Sequence, residues 1–329
     1  MFDDIPLYII FEVYSKLNNK KALKELKEYT LNKDVKEVYL EALKYYDKCV
    51  AELVKIYENT YYDELKELIE NKKTFIKENN KLPEKIKIKI DKNTVYKPKN
   101  KLELINLIKS KVKLDKIDTS LITDMSEVFR DSRLKKFDGI ETWDTSNVEN
   151  MEFMFLDAVY FNHNINNWNT SKVKYMSYMF GRAKRFSQPF NQPLDNWDVS
   201  NVVDMSGMFD GCEDFNQPLD NWDVSNVINM QDMFNNCFNF NQPLNNWDVS
   251  NVTNMKGMFF GCKNFNQPLD KWNVSNVKDM TTMFCKAHIF NQPLNKWNTS
   301  KVKYMSGMFA ESLMESNPPS WYDPYLVGY

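Results

Sequence analysis

Histidine is nearly missing from this sequence, which has two histidines in 329 residues, His163 and His288. Both lie at irregular positions near places where the chain turns back. No phosphate-binding loop, nucleophile elbow or zinc motif accompanies them. Acid–base and metal-assisted chemistry depend on groups of this kind. We therefore expect that the protein is not an enzyme, and we expect no catalytic residue, no metal site and no cofactor.

Long apolar runs are missing as well. No stretch reaches the roughly 18 apolar residues that would suggest a transmembrane helix. The short run at Ile5–Phe11 has no basic residues before it and is followed by Glu12, so it does not have the pattern of a signal peptide. We expect an intracellular, cytoplasmic location and no membrane span, with the cell surface as the alternative.

Cysteine is sparse, and three of the five cysteines, Cys212, Cys237 and Cys262, recur at one constant interval. A disulfide or metal ladder would need a cysteine in every repeat. Interchange with alanine and serine indicates instead that the position requires a small buried side chain. The corresponding residues of other repeats are Ala158, Ala183, Ala287 and Ser312.

Tryptophan marks the repeat, and no tryptophan lies outside the series. The interval is constant except for a longer step after the second tryptophan and a slightly shorter step before the last. A fixed period of roughly 25 residues is typical of a solenoid, in which each unit buries its apolar face against its neighbours. About eight units occupy residues 117–313, with Ile117 in the first tryptophan position. The tryptophans are Trp143, Trp168, Trp197, Trp222, Trp247, Trp272, Trp297 and Trp321.

One unit combines two periodicities. Leu219, Trp222 and Val224 follow the Leu-x-x-Leu-x-Leu spacing of a leucine-rich-repeat strand, in which alternate side chains point inward. Steps of three and one residues from Val227 to Cys237 are typical of a helical or 3₁₀ turn. The sequence therefore predicts a strand and a short helical turn in each unit. Its paired methionines are predicted to lie in the core rather than in a metal site.

Two polar rows recur. The asparagine of Phe-Asn-Gln-Pro, such as Asn241, is predicted to form a ladder of amide hydrogen bonds between units. The residue after each tryptophan is aspartate or asparagine, as in Asp223 and Asn273. A calcium site or a catalytic acid would need the charge in every unit. We expect instead a side-chain oxygen that accepts a backbone N–H two residues further on.

The whole repeat resembles a known family. Its pattern is Trp-Asp-Val-Ser-Asn-Val-x-x-Met-x-x-Met-Phe-x-x-Cys-x-x-Phe-Asn-Gln-Pro-Leu. This pattern is similar to that of the BspA-like leucine-rich-repeat family, also called the DUF285 surface-protein repeat, over residues 117–321. The resemblance implies a curved parallel-strand solenoid that acts by binding proteins. Many members are bacterial surface proteins, and others occur in giant viruses and protists.

Apolar residues at helical spacing predict a small helical domain in residues 1–80. Residues 5–31 resemble an F-box, a motif that recruits ubiquitin-ligase machinery through a Skp1-type partner. The acidic pair usual in that motif is replaced by Leu7 and Tyr8, and the tryptophan usual near its end is absent. An ordinary amphipathic capping helix is the alternative. The partner-binding residues that the resemblance implies are Ile5, Pro6, Ile9, Ile10, Val13 and Leu17.

Residues 81–116 are rich in lysine, with 12 lysines against 4 acidic residues. Alternation around Ile88 predicts a hairpin strand. A short helix follows, with Leu102, Leu104, Ile105 and Ile108 as its apolar residues. A basic hairpin could contact nucleic acid, but this one lacks interleaved aromatic residues and a known reading motif. We predict instead a cap on the open edge of the first repeat, and a second cap over residues 314–329.

These observations predict an α+β protein with a small N-terminal helical domain, a hairpin-plus-helix cap, a leucine-rich-repeat-like parallel-strand solenoid and a C-terminal cap. We expect a monomeric, non-enzymatic protein–protein interaction scaffold that does not bind nucleic acid. Its specific form would be an F-box-type substrate adaptor for a ubiquitin ligase. The alternative is a surface-displayed, adhesin-like repeat protein.

Residues that differ between otherwise equal units are the candidates for partner binding, because packing fixes the core positions. Several lie around the irregular unit, which has four extra residues at 186–189. The alternative is that they are solvated turn residues. The predicted partner-binding residues of the solenoid are Phe153, Tyr175, Tyr178, Arg182, Lys184, Arg185, Phe238, Phe260, Lys263 and Tyr304.

Overall fold

The computed structural model describes residues 94–181 and 190–326. The chain divides into two compact units, Met1–Ile86 and Lys87–Tyr329. The predicted N-terminal helices, the F-box-like segment and the first strand of the hairpin lie outside the described residues. The four extra residues at 186–189 lie outside them as well. The predictions for these segments, and the domain bounds that depend on them, remain predictions.

An extended residue and a helix lie at the start of the repeats. Tyr96 forms a parallel bridge with Ile117. Helix α1, Lys101–Lys109, buries Leu104 and Leu107, whereas Leu102 is 60% exposed. Two 3₁₀ helices follow, Leu114–Lys116 and Ile140–Thr142. In the part of the chain that the structure describes, no helix is long and apolar enough to cross a membrane.

Successive repeats are joined by single parallel bridges. Asn229 bridges Asp204 on one side and Asn254 on the other, so each unit lies in register beside the next. The described residues contain no strand longer than one such bridge. The strand predicted at Leu219–Val224 was therefore placed wrongly, because that segment lines the core and the pairing occurs further along the unit. The bridge residues are Asp124, Asn150, Tyr175, Asp204, Asn229, Asn254, Asp279 and Tyr304.

Tight turns, rather than a helix, follow each bridge, and we call a bridge residue together with its turns a rung. In the rung of Asn229, the N–H of Met233 donates to the carbonyl of Met230 at 3.3 Å, whereas the N–H of Phe234 donates to the next rung. Asp232 has a φ of 54°, in the left-handed region that an α-helix does not visit. The predicted helical turn was wrong for this reason, although the period of three residues identified the inward side chains.

Aromatic rings form rows through the core, and the phenylalanine row from Phe129 to Phe309 is continuous. The indoles of Trp222 and Trp247 lie 6.5 Å apart at an interplanar angle of 3°. Phe234 stacks on Phe259 at 5.7 Å and 7°. Each indole N–H donates to a carbonyl of the preceding unit, which for Trp222 is that of Leu194 at 3.1 Å. Since each large buried side chain contributes about 1.5–3 kcal/mol, stacking between units is the main source of stability.

The row of small residues is buried as predicted, except that Ser312 in the last unit is half-buried and Ala183 lies outside the described residues. Cys212, Cys237 and Cys262 are fully buried, and so are Ala158 and Ala287 at the corresponding positions. Each of the three thiols donates to a carbonyl of the preceding unit, at 2.9–3.3 Å. The methionine pairs beside this row are also in the core. The interchange of cysteine with alanine thus reflects limited space between two units.

We expect the three thiols to resist alkylation in the native protein. Burial raises the pKa of the Cys237 and Cys262 thiols above the usual value, so little of the reactive thiolate forms near neutral pH. Iodoacetamide treatment followed by peptide mass mapping should modify Cys212, Cys237 and Cys262 in denaturant but not in buffer. Equal modification under both conditions would contradict the buried row.

An amide ladder connects the return segments, as predicted. The Oδ1 of Asn216 accepts the N–H of Asn241 at 2.9 Å and the Nε2 of Gln242 at 3.1 Å. The same two bonds recur between Asn191 and the unit of Asn216, and between the units of Asn241 and Asn266. Every buried polar side-chain atom of the described residues has a hydrogen-bond partner. The ladder therefore satisfies polar groups that stacking would otherwise leave unpaired.

The C-terminal segment lies on the last rung. Trp321 continues the indole row at 6.1 Å from Trp297, and its N–H donates to the carbonyl of Leu294 at 3.0 Å. The N–H of Met305 donates to the carbonyl of Leu326 at 3.1 Å. These are contacts expected of a cap. The assignment to an α+β, leucine-rich-repeat-like solenoid stays a prediction, since single bridges are the only strand pairing that the described residues contain.

Candidate interaction face

The residue after each tryptophan holds the turn that follows it, as predicted. The Oδ1 of Asp223 accepts the N–H of Ser225 at 3.0 Å, and that of Asn273 accepts the N–H of Ser275 at 3.2 Å. Hydrogen bonds from the side chain and backbone of Ser225 lower the pKa of Asp223. Among residues 94–181 and 190–326, no three His, Cys, Asp or Glu side chains are grouped to hold a metal ion. The hydrogen bonds to Ser225 and Ser275 give the row a structural role.

A set of positions recurs beside the bridges from rung to rung, and we call it the bridge face. In each rung it comprises the bridge residue, the residue before it, and the second, third, sixth and seventh residues after it. In the rung of Asn229, Gln231 and Asn235 donate to the two carboxylate oxygens of Asp232 at 3.0 and 3.1 Å. The Nδ2 of Asn254 donates to Gln231 of the preceding rung at 3.1 Å. These bonds join the side chains into one surface.

Seven of the predicted partner-binding residues lie in the described part of the chain, and five of these belong to the bridge face. Tyr175 and Tyr304 are bridge residues, and each is 42% exposed. Phe153, Tyr178 and Phe260 are half-buried on the bridge face, whereas Phe238 and Lys263 lie beyond it. The remaining predicted residues lie outside the described residues; they are Arg182, Lys184, Arg185, Ile5, Pro6, Ile9, Ile10, Val13 and Leu17.

Phe153 and Tyr178 form a pair of stacked rings on the bridge face. Their centroids are 5.7 Å apart at an interplanar angle of 8°, and the Cζ of Arg130 lies 5.8 Å from the centroid of Phe153. Both residues have left-handed backbones, with φ of 56° and 50°. Three later units have glycine at this position, which is the residue that tolerates such a φ. The two bulky rings are therefore held at a strained position.

The surroundings of Tyr178 are acidic. Burial and the negative charges of Asp232, Asp210 and Asp204 raise the pKa of its phenol to about 12. The phenol is consequently a neutral hydrogen-bond donor throughout the physiological pH range. This part of the bridge face combines an aromatic surface with a negative potential.

Phe238 and Phe260 are covered by lysines of the following unit. The Nζ of Lys263 lies 3.8 Å from the centroid of Phe238, and that of Lys286 lies 5.7 Å from the centroid of Phe260. Cation–π pairs of this kind occupy one face of each ring within the protein. These contacts favour a structural role for Phe238 and Lys263 over partner binding.

The charged residues of the bridge face were missed in the sequence analysis. Asp204, Asp232, Lys256 and Lys278 all belong to this surface, and none was among the predicted residues. They stand at positions where other units have different residues, which is the criterion that selected Tyr175. Comparing the units position by position for charge, as well as for aromatic side chains, would have found them.

Replacing Gly207 by alanine should destabilise the protein more than the same change at Gly307. Both glycines have a left-handed φ, 57° and 62°, so both substitutions incur the same backbone strain of about 1–2 kcal/mol. A Cβ on Gly207 would also lie 2.2 Å from the ring of Tyr178, whereas one on Gly307 would have 3.6 Å to Thr282. We expect overpacking to add about 1–3 kcal/mol for Gly207→Ala, measured by urea unfolding. Equal losses would show that the ring moves freely.

A comparison with protein families covers most of the repeats. The family described as "Mycoplasma protein of unknown function, DUF285" matches residues 102–192, 187–259 and 239–322. No curated protein and no solved structure matches the chain. The family match does not include the F-box-like residues, whereas it spans about two-thirds of the chain and contains the eight bridge residues from Asp124 to Tyr304. The chain therefore belongs to the DUF285 family.

Proposed function

We propose that this protein is a non-enzymatic protein–protein interaction scaffold and that a partner binds to the bridge face. The observation that carries the proposal is the contrast between a constant core and a variable face. The aromatic rows keep the same residues from unit to unit, whereas the bridge positions change from Asn229 to Tyr175 and Tyr304. Repeat proteins bind through such extended surfaces, and tyrosine is enriched at protein interfaces.

The specific form that we propose is a cytoplasmic substrate adaptor. The F-box-like residues would bind a Skp1-type partner of a ubiquitin ligase, and the bridge face would select the target protein. The resemblance of Ile5, Pro6, Ile9 and Ile10 to the F-box pattern supports this form. The fit is incomplete where Leu7 and Tyr8 replace the acidic pair.

Photocrosslinking tests the position of the binding surface. A benzoylphenylalanine residue introduced at Tyr175 or Tyr304 should capture the same protein in the native cell. The matched control is Asp220, which is exposed and lies outside the bridge face. Capture at Asp220 but not at the two tyrosines would refute the proposed surface. Capture only of extracellular or host-surface proteins would support the adhesin-like alternative instead.

A binding experiment tests the adaptor form separately. The full-length chain should bind a purified Skp1-type protein, and the Pro6→Lys/Ile9→Lys variant should not. The matched control is Leu7→Glu, which introduces an acidic residue where F-box motifs usually have one and should retain binding. If the unaltered chain does not bind, the adaptor form fails and the general scaffold remains.

A further inference from the structure

Charge is distributed unevenly along the repeats. Residues 186–255 contain ten acidic residues and no lysine, arginine or histidine. Residues 256–303 contain eight lysines and two aspartates. The sign of the charge thus reverses between the rungs of Asn229 and Asn254, which are adjacent. Each block spans at least two rungs, so the protein has a negative block and a positive block side by side.

The bridge face shows the same reversal. On the negative side, Asp204 and Asp232 are partly exposed, and their carboxylates accept bonds from neutral groups, including the N–H of Ser206 at 2.8 Å. On the positive side, Lys256 and Lys278 are exposed, and neither forms an ion pair with another described residue. The two ammonium groups are thus available for a contact from outside the chain.

The two exposed tyrosines are symmetric about the reversal. Eight rungs carry bridges, and Tyr175 and Tyr304 occupy the third and the eighth of them. Both are therefore two and a half rungs from the boundary between Asn229 and Asn254. A two-fold axis at this boundary, lying in the plane of the face, parallel to the rungs and perpendicular to the direction of stacking, superimposes one tyrosine position on the other.

We propose that the bridge face binds the bridge face of a second copy of this chain, with the two stacks antiparallel. This inference rests on the proposed function of the face and names its partner. The axis places the rung of Asp232 opposite that of Lys256, and the rung of Asp204 opposite that of Lys278. Tyr175 of one copy then meets Tyr304 of the other. Such a self-complementary contact has the symmetry of a closed dimer.

Two like-charged contacts oppose the arrangement and limit its strength. Asp279 of one copy faces the rung of Asp204 of the other, which brings two negative charges together. Lys278 directly precedes Asp279 in the chain and offsets this repulsion. Lys303 faces the rung of Lys174, whose ammonium is already paired with Glu149 at 2.8 Å. The contact should accordingly depend strongly on salt. It replaces the monomer expected from the sequence with a monomer–dimer equilibrium, in which a target protein and the second copy compete for one face.

Sedimentation of the full-length chain tests the proposal. At about 0.01 M salt, where charges act over about 30 Å, the average mass should approach twice that of one chain. At about 1 M salt, where the screening length is about 3 Å, it should return to that of the monomer. A monomer at low salt, at concentrations up to about 100 µM, overturns the proposal.

Charge reversal tests whether the contact is the one described. Asp204→Lys/Asp232→Lys and Lys256→Glu/Lys278→Glu should each weaken self-association at least tenfold, and a 1:1 mixture of the two variants should restore it as a heterodimer. The control variant is Asp220→Lys/Asp248→Lys, which makes the same change in net charge at positions outside the bridge face. It removes the turn-forming carboxylate of Asp248, just as the first variant removes that of Asp204. Equal weakening by the control, or no recovery in the mixture, contradicts the proposed contact.

A crosslink provides a readout that does not depend on charge variants remaining folded. Benzoylphenylalanine at Tyr175 of one copy should attach to the peptide containing Tyr304 of an isotope-labelled second copy. Attachment elsewhere on the second copy refutes the antiparallel register. If the chain stays monomeric while a different protein is captured at Tyr175, self-association fails and the scaffold function stands.

Discussion

Trp222→Ala should lower the free energy of unfolding by about 3–5 kcal/mol. Trp222 is 3% exposed, stacks on Trp247 and lies 6.4 Å from the ring of Phe209. Its removal leaves a cavity and deprives the carbonyl of Leu194 of the indole N–H. Because each repeat contacts only its neighbours, a defect in the middle should also decouple the units on its two sides. Urea unfolding followed by tryptophan fluorescence should therefore show a lower midpoint and a broader transition.

Two variants serve as controls for this result. Trp222→Phe keeps an aromatic ring but loses the N–H and part of the ring volume, so it should cost less than the alanine variant, with about 1–3 kcal/mol of the loss from the hydrogen bond. Trp321→Ala removes an indole with the same kind of bond from the end of the row, where it is only partly buried. If Trp321→Ala were as destabilising as Trp222→Ala, burial between two units would not be the source of the effect.

Asn216→Leu should lower the free energy of unfolding by about 2 kcal/mol, because two donors lose a shared acceptor. Leucine has a similar size but no side-chain oxygen, so the N–H of Asn241 loses its partner. The Nε2 of Gln242 loses one of its two acceptors and keeps its bond to the backbone carbonyl of Asn216 at 3.0 Å. Each unsatisfied donor in a partly buried site costs on the order of 1–3 kcal/mol, less where water can reach it. Urea unfolding measures the change.

The ladder itself supplies the controls for this substitution. Asn216→Asp retains an acceptor oxygen and should cost much less than the leucine variant. Asn291 is the last asparagine of the row, and its N–H donates to the Oδ1 of Asn266 in the same way. Asn291→Leu keeps that backbone bond and should be nearly neutral. A loss at Asn291 equal to that at Asn216 would show that the side-chain oxygen does not matter.

The core of the repeat could be predicted because its chemistry is the same in every unit. The Trp222 row, the Cys237 row and the turn-forming oxygen of Asp223 were all inferred from residues that recur or interchange at one spacing. The position of the bridges could not be inferred in this way. Leu219–Val224 alternates like a strand because its side chains enter the core, while the backbone pairing takes place around Asn229.

The turn conformation had a signal in the sequence that the apolar period concealed. The third residue after the bridge is glycine in three units and Asp232 in another, and both residue types tolerate a left-handed backbone. Apolar residues that recur every three positions fit a helix and a series of turns equally well. The predicted interaction residues remain predictions, and their exposure differs. Tyr175 and Tyr304 proved exposed, whereas the coverage of Phe238 by Lys263 depends on contacts between units.

Because the units stack in register, the length of the stack can change only by whole repeats. A unit presents to the next one the same indole, amide and carbonyl groups that it receives from the one before, as Trp222 and Trp247 illustrate. Inserting or deleting one complete repeat therefore recreates a junction that already exists, whereas half a unit would bring a tryptophan against a turn. If one repeat is duplicated in the gene, every surface residue beyond the duplication is therefore displaced along the stack by one rung.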